Sequence, residues 1–195
     1  MNEYNIKAQN ITKRFGSEIV IDNFTCDFMP DTLYSINGAS GRGKTTLLRI
    51  LAGLDRNFSG ILDIRGKCSV MFQEHRLFPS LSAVDNILEL SFEKKDPALT
   101  DMTMSTLSSL GFSPEDMKKY PDELSGGMKQ RISFARALLF KSDILILDEP
   151  FKELDENLRS VISDIILDES KHRTVIVSTH EIPEIFKNSA INIQL

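Results

Sequence analysis

The stretch GASGRGKTTLLRILAG, residues 38–53, decides the fold of this protein. It matches the pattern Gly-x-x-x-x-Gly-Lys-Ser/Thr, which a chain of this size contains by chance about once in a hundred sequences. In this pattern the backbone N–H groups of the loop surround phosphates, the lysine reaches the β- and γ-oxygens, and the hydroxyl group faces Mg²⁺. The stretch therefore predicts a nucleotide site, whose residues are Gly38, Ala39, Ser40, Gly41, Arg42, Gly43, Lys44, Thr45 and Thr46.

The composition is that of an ordinary globular protein of one domain. Of the 195 residues 41% are hydrophobic and 26% are charged, and no apolar run approaches the ~20 residues that span a bilayer. Because Met1 is followed by the polar run NEYNIKAQN, we expect no signal peptide. The net charge of −5 argues against a nucleic-acid partner. Two cysteines without paired spacing, Cys26 and Cys68, are typical of a reduced, cytoplasmic setting.

Strand-like runs and a helix surround the loop. Before it, NIKAQNI, EIVIDNFTCDF and LYSIN are separated by turns at Phe15-Gly16-Ser17 and Pro30-Asp31. This pattern predicts an antiparallel β region that feeds one more strand. After the loop we expect a helix over residues 44–52, which ends at Gly53, and then a short strand over residues 68–72.

The second half of the chain alternates helical and strand patterns. ILIL at 144–147 and TVIVS at 174–178 are aliphatic without alternation, as in parallel strands covered on both faces. Between them one apolar helix face is formed by Leu158, Val161, Ile162, Ile165 and Ile166. The region before them looks helical, with a start signal at residues 113–116 and a stop at Tyr120-Pro121.

These alternating elements predict an α/β fold with a three-layer core. The core would comprise about residues 1–73 and 141–195 of a single domain, residues 1–195. The helical subdomain, at about residues 74–140, would be inserted between two of its strands.

Polar groups follow four of the predicted strands. LYSIN runs into the loop at Gly38, CSVMF into Gln73, ILIL into Asp148-Glu149, and TVIVS into Thr179-His180. Ligands of open α/β sheets lie at the carboxyl ends of the strands, so we expect these groups to share one edge. There Asp148 would hold Mg²⁺ through water and Glu149 would polarise an attacking water. Both can serve one site only if the chain turns after them, for which Pro150 supplies a reason.

Several of these candidates also have ordinary structural explanations. Gln73 fits a satisfied polar residue after a strand, and His180 fits a cap of a short helix near residues 181–187. Asp155 is placed to N-cap the helix that follows it. Phe15, in a turn, is by default a packing residue, although a flat ring there could also stack on adenine. The residues alone leave these alternatives open.

A second pair of glycines occurs in LSGGMKQRISFARALLF, residues 124–140. Ser125, Gly126 and Gly127 precede a helical pattern, so their N–H groups would form a second anion site. The alternative is a serine N-cap with glycines for close packing. Because one nucleotide has one triphosphate, a second anion site is either spare or serves the nucleotide of another copy, in a head-to-tail dimer with a two-fold axis.

The sequence resembles the ATPase subunit of an ATP-binding-cassette (ABC) transporter over essentially its whole length. The motifs occur in the family's order: GASGRGKTT as Walker A, Gln73 as the Q-loop, LSGGMKQR as the signature, ILILDEP as Walker B, LD at 154–155 as the D-loop, and His180 as the switch histidine. The resemblance implies a P-loop NTPase with a RecA-like core that uses ATP and Mg²⁺. One departure is the D-loop, KELD, where the family more often has SALD.

The resemblance also implies a role for each site residue. Phe15 would stack on adenine. The residues implied in catalysis are Lys44, Gln73, Glu149 as general base, and His180 at the γ-phosphate. Those implied to surround Mg²⁺ are Thr45, Gln73 and Asp148. Those implied to complete the ATP site of a partner copy are Ser125, Gly126, Gly127 and Asp155.

In function, the resemblance implies ATP hydrolysis that energises transport across the cytoplasmic membrane. The chain would bind the inner face of the membrane through an integral permease, near residues 72–87, and would reach a solute-binding protein only through that permease. The PDELSGGM context is similar to bacterial importers of nitrate, sulfonate, taurine or metals. The ATPase subunits of exporters and lipoprotein-release systems share much of the same sequence, so export is the alternative.

Two other classes of ATPase explain less of the sequence. ABC-type ATPases that act on DNA or in translation typically carry two cassettes or a long coiled coil, whereas the interval between Gln73 and Ser125 has no heptads. A simple P-loop kinase would leave LSGG unexplained. The sequence ends at INIQL, so we also expect no C-terminal regulatory domain.

Overall fold

An antiparallel sheet opens the chain in the computed structural model, which describes residues 4–89, 96–180 and 183–195. Its strands, in the order β2-β1-β4, are β1 (Ile6–Phe15), β2 (Glu18–Phe28) and β4 (Ser59–Ile64). The predicted antiparallel region is confirmed, with β4 as an additional strand. The sequence predicts Phe15 within the turn, which is wrong. Phe15 is the last residue of β1 and pairs with Glu18.

A parallel sheet forms the centre of the molecule. Its strand order is β5-β6-β7-β3-β8, and every neighbouring pair is parallel. The strands are β3 (Leu33–Asn37), β5 (Cys68–Met71), β6 (Ile144–Asp148), β7 (Thr174–Thr179) and β8 (Ile191–Gln194). The four strands followed by polar groups are therefore neighbours, and their carboxyl ends meet at one edge.

Side chains of β6 divide the core into two clusters, one on each face of the sheet. Ile144 and Ile146 pack with α1 (Lys44–Leu51) and the antiparallel sheet. Leu145 and Leu147 pack with the helices of the second half of the chain. This alternation is the pleat of a strand buried on both sides, and it produces the predicted three-layer α/β arrangement.

The predicted helical insertion lies between β5 and β6, which are adjacent in the sheet. It contains α2 (Ala83–Leu88), α3 (Pro97–Ser109) and α4 (Gly126–Leu139). The start and stop signals around residues 113–121 enclose only a 3-10 turn, Asp116–Lys118, because Tyr120 must be extended before Pro121. None of the helices in the described ranges has both the length and the apolar character needed to cross a bilayer.

Candidate functional site

The loop before α1 has a backbone that only glycine adopts easily. Gly41 and Gly43 have φ angles of 79° and 90°, in the left-handed region. A Cβ atom on Gly43 would also lie 2.6 Å from Cγ1 of Val20, so a larger residue has no room there. The first N–H groups of α1, which follow Gly43, point out of the helix toward the loop. The loop is thus built to place backbone donors around an anion.

Lys44 directs its ammonium group across this loop. The Nζ atom donates to the carbonyl oxygens of Gly38, at 2.7 Å, and Ala39, at 3.3 Å. It also lies 3.6 Å from Oε1 of Glu149 and 3.3 Å from Nδ1 of His180. Because the Lys44 side chain is almost fully buried, its charge is held at a fixed point over the loop. Phosphate oxygens entering the loop would take the place of the carbonyl acceptors.

A hydroxyl group and a carboxylate lie side by side at the start of α1. Oγ1 of Thr45 donates to Oδ2 of Asp148 at 2.7 Å, and Oγ of Ser178 donates to Oδ1 at 2.6 Å. Asp148 and Ser178 are both buried. Sequence reasoning missed Ser178, for which the available signal was a polar residue in the aliphatic run TVIVS.

This donor set fits Mg²⁺ bound together with a nucleotide. Mg²⁺ typically takes one or two protein oxygen ligands plus phosphates and water, rather than a cage made by the protein alone. Thr45 and Asp148 supply such oxygens beside the loop. No group of three or more His, Cys, Asp or Glu side chains that could hold a metal ion occurs within the described residues.

Glu149 reaches the same site because the chain turns at this residue, one position before Pro150. Its φ angle is 53°, a left-handed conformation that is uncommon outside glycine. Its N–H group donates to Oγ and to the carbonyl oxygen of Ser178, at 3.0 and 3.2 Å. Its carbonyl oxygen accepts from Nε2 of Gln130 on α4 at 2.8 Å, a partly buried contact that sequence reasoning also missed. These bonds hold the residue in place, so successive residues Asp148 and Glu149 face one site.

His180 joins the site, whereas Gln73 does not contact it. Nε2 of His180 lies 3.0 Å from Oε1 of Glu149, and its side chain is 51% exposed at the mouth of the site. The predicted short helix near residues 181–187 is represented by a 3-10 turn, Glu184–Phe186, and residues 181 and 182 lie outside the described residues. Gln73 follows β5 at the correct edge, but it is exposed and forms no hydrogen bond with a described residue.

Phe15 borders a cavity that leads to the start of α1. The cavity has a volume of about 800 Å³ and is lined by Phe15, Thr45, Thr46 and Arg49, together with residues 54–57. The Phe15 ring is 55% exposed, and the ammonium group of Lys13 lies 5.0 Å from its centre. The aromatic ring of Phe15 and the first turn of α1 therefore border one cavity.

The second glycine pair lies at the start of α4, where Ser125 acts as the N-cap. Oγ of Ser125 accepts from the N–H group of Met128 at 3.3 Å and caps α4, while Asp155 caps α5 (Glu156–Glu169) by accepting from Leu158 at 2.9 Å. Within one chain, Ser125 and Asp155 therefore act as helix N-caps, the alternative role that the sequence left open for each. No hydrogen bond between described residues joins Ser125, Gly126, Gly127 or Asp155 to the loop at 38–46.

The phosphate loop, the paired carboxylates and the parallel sheet define a P-loop nucleoside triphosphatase. The family model described as ABC transporter matches residues 21–152. The chain therefore belongs to the ABC transporter family, and it is an ATP-binding, ATP-hydrolysing domain that energises such a transporter.

Relatives and solved structures agree with this assignment. The aliphatic sulfonates import ATP-binding protein SsuB of Bacillus subtilis (strain 168) is 37% identical over 189 residues, 92% of this chain and 73% of that protein. The probable sulfate/thiosulfate import ATP-binding protein CysA of Chlorella vulgaris is 34% identical, over 92% of this chain and 82% of that protein. A dimeric structure of the bacterial ABC transporter cassette MJ0796 has a TM-score of 0.81 at 27% identity, over 97% of this chain and 94% of that chain. A dimeric post-hydrolysis structure of MJ0796 contains ADP and Pi and has a TM-score of 0.78 at 28% identity, over 90% and 88% of the two chains.

Proposed function

We propose that this chain powers import across the cytoplasmic membrane as a head-to-tail homodimer bound to an integral membrane permease. The observation that carries the proposal is the incomplete site: Lys44, Thr45, Asp148, Glu149 and His180 converge at one sheet edge, while Ser125 of the signature caps its own helix and forms no hydrogen bond with these residues. A second copy supplies the missing contacts if each signature faces the other chain's loop.

The residues at the sheet edge divide the chemistry of hydrolysis between them. Lys44 neutralises the phosphate oxygens as they gain charge, and the loop N–H groups hold them in place. Thr45 and Asp148 would hold Mg²⁺, which supplies further positive charge to the phosphates, and Gln73 would join them through water. Glu149 accepts a proton from the attacking water, and His180 orients the Glu149 carboxylate and contacts the γ-phosphate. Phe15 stacks on the adenine ring.

The dimer places residues of one chain over the nucleotide of the other. Ser125, Gly126 and Gly127 present a hydroxyl group and N–H groups at the start of α4, which favour an anion. Asp155 approaches the partner's loop. The dimeric form of MJ0796 supports this arrangement, because that cassette resembles this chain over most of both lengths.

The segment 72–87 is the proposed permease contact. Phe78 is 40% exposed, and its backbone is held by Asn86, whose side chain accepts from the Phe78 N–H group at 2.7 Å. The Asn86 amide donates to the carbonyl oxygens of Phe78, Leu81 and Ser82. The loop thus presents an apolar side chain on a fixed backbone, as a docking surface requires.

Import, rather than export, is supported by the names of the relatives, which are import subunits for sulfonates and for sulfate or thiosulfate. The cargo would be selected by the permease and by a solute-binding protein that acts through it. The chain itself would stay on the inner face of the membrane.

The shared-site mechanism is tested with Glu149→Gln. This variant keeps the shape of the side chain but removes the proton acceptor, so hydrolysis should fall by about 10²–10⁴-fold while ATP binding is kept. With ATP and Mg²⁺ the variant should form a lasting dimer in light scattering after size exclusion. The control, Glu149→Gln combined with Lys44→Ala, should bind ATP weakly and stay monomeric. A Glu149→Gln chain that binds ATP and remains monomeric would refute the shared site.

A further inference from the structure

The turn that follows Glu149 brings a second glutamate against the signature. Glu153 has a φ angle of 60°, so it too is held in the left-handed region. A Cβ atom on Gly126 would lie 2.5 Å from Oε2 of Glu153, and one on Gly127 would lie 3.2 Å from the Glu153 carbonyl oxygen. The carboxylate therefore lies directly beside the first residue of α4, where a Cβ atom at residue 126 would require the end of this exposed side chain to move.

The start of α4 favours a negative charge at this position. The first N–H groups of a helix carry partial positive charge, and a negative side chain beside them is favourable. No hydrogen bond or ion pair with another described residue neutralises Glu153, and its side chain is exposed at the surface. Within the described residues its charge acts on the imidazole of His75, and at the surface it also faces any group that approaches the signature from outside the chain.

We propose that Glu153 is a built-in competitor for the signature site, which opposes entry of the partner's γ-phosphate and so raises the ATP concentration needed for dimer closure. This inference rests on the proposed head-to-tail dimer. In that dimer a phosphate and the Glu153 carboxylate would both lie at the start of α4, and two like charges at such a distance repel. Closure then requires the carboxylate to swing away or the repulsion to be tolerated.

The test uses the hydrolysis-deficient Glu149→Gln chain as the parent, so that dimers accumulate. Glu153→Gln removes the charge and keeps the shape, and Glu153→Ala removes the side chain beyond Cβ. Both should lower the ATP concentration for half-maximal dimer formation by about five-fold at low salt, the effect of two like unit charges about 4 Å apart in water. Binding of a fluorescent ATP analogue to the monomer, measured below the dimerisation concentration, should not change.

Two controls separate this effect from net charge and from folding. Asp164→Asn changes the net charge equally at an exposed position of α5 and should leave dimer formation unchanged. The gain from Glu153→Gln should shrink at about 0.5 M salt, because screening already weakens the repulsion in the parent. Thermal unfolding of each variant reports that the fold is kept.

The outcomes for Glu153 and for the shared site are distinguishable. If the Glu149→Gln parent dimerises with ATP and the Glu153 variants match it within two-fold, the competitor role is wrong while the proposed function stands. Weaker dimers in the Glu153 variants would also overturn it, because the carboxylate would then assist closure. A parent that never dimerises overturns both proposals.

Discussion

Ser178→Ala is the variant that best tests how the fold orients the carboxylate of Asp148, the proposed Mg²⁺ ligand. The hydroxyl group of Ser178 is fully buried, donates to Oδ1 of Asp148 at 2.6 Å and accepts from the N–H group of Glu149 at 3.0 Å. The substitution removes both contacts and leaves a buried carboxylate with one partner fewer. The matched control is Ser35→Ala, since Ser35 is also fully buried but donates to the neutral side chain of Asn37 at 3.2 Å.

The magnitude follows from the charge of the acceptor. A hydrogen bond to a charged group contributes about 1.5–3 kcal/mol, and a neutral one about 1 kcal/mol. The Glu149 N–H group keeps the Ser178 carbonyl oxygen as an acceptor at 3.2 Å, so its loss adds little. We therefore expect Ser178→Ala to lower the free energy of unfolding by about 2 kcal/mol, against about 1 kcal/mol for Ser35→Ala. For a chain of this size these values correspond to roughly 4–8 °C and 2–4 °C in Tm.

The assay has two parts, thermal unfolding without nucleotide and ATPase activity as a function of Mg²⁺ concentration. Removing a hydrogen-bond partner of a metal-binding carboxylate typically weakens metal affinity by about 10–100-fold. Ser178→Ala should therefore need at least ten-fold more Mg²⁺ for half-maximal activity, whereas Ser35→Ala should not. Equal Tm losses and an unchanged Mg²⁺ requirement in the two variants would refute the role given to Ser178.

Two further predictions concern surfaces outside the catalytic centre. Phe15→Ala should weaken ATP binding by about ten-fold in calorimetry, because stacking on a base contributes about 1–3 kcal/mol. The control, Phe15→Tyr, keeps an aromatic ring and should bind ATP nearly as the wild type does. Equal affinity in all three proteins would exclude adenine stacking on this ring. Phe78→Ser should reduce co-purification with the permease and leave the ATPase activity of the isolated chain unchanged. The control is Ile61→Ser, at an apolar position on β4 that is even more exposed than Phe78, and the docking proposal fails if the two variants co-purify alike.

The strands of the central sheet could be predicted because buried strands need apolar residues at every position. ILIL and TVIVS are fully buried on both faces, so every position is apolar or small. The strand β4 was missed because SGILDI is mostly exposed or half-buried and contains glycine and aspartate. Its pairing with β1 depends on tertiary contact rather than on a local pattern.

The residues of the site could be predicted where they belong to a local sequence motif or directly follow a strand. The loop at 38–46 is local, and Asp148, Glu149 and His180 lie at strand ends, which topology brings together. Ser178 and Gln130 were not predictable as partners of the acidic pair. Their hydrogen bonds with Glu149 span 29 and 19 residues and depend on how β7 and α4 pack beside β6. Likewise, the contact of Glu153 with Gly126 depends on the left-handed backbone of Glu153, which no residue type in KELD predicts.

The bond between Gln130 and Glu149 links the two halves of the proposed mechanism within one chain. Ser125, at the start of α4, would contact the partner's nucleotide, while Gln130, five positions along the same helix, holds the carbonyl oxygen of the proposed general base. A helix rises about 1.5 Å per residue, so these residues are about 7–8 Å apart on one rigid element. A shift of α4 when its start meets the partner's γ-phosphate must therefore move Gln130, and with it the backbone that orients Glu149. In the proposed dimer, each nucleotide would thus adjust the base that acts on the other nucleotide.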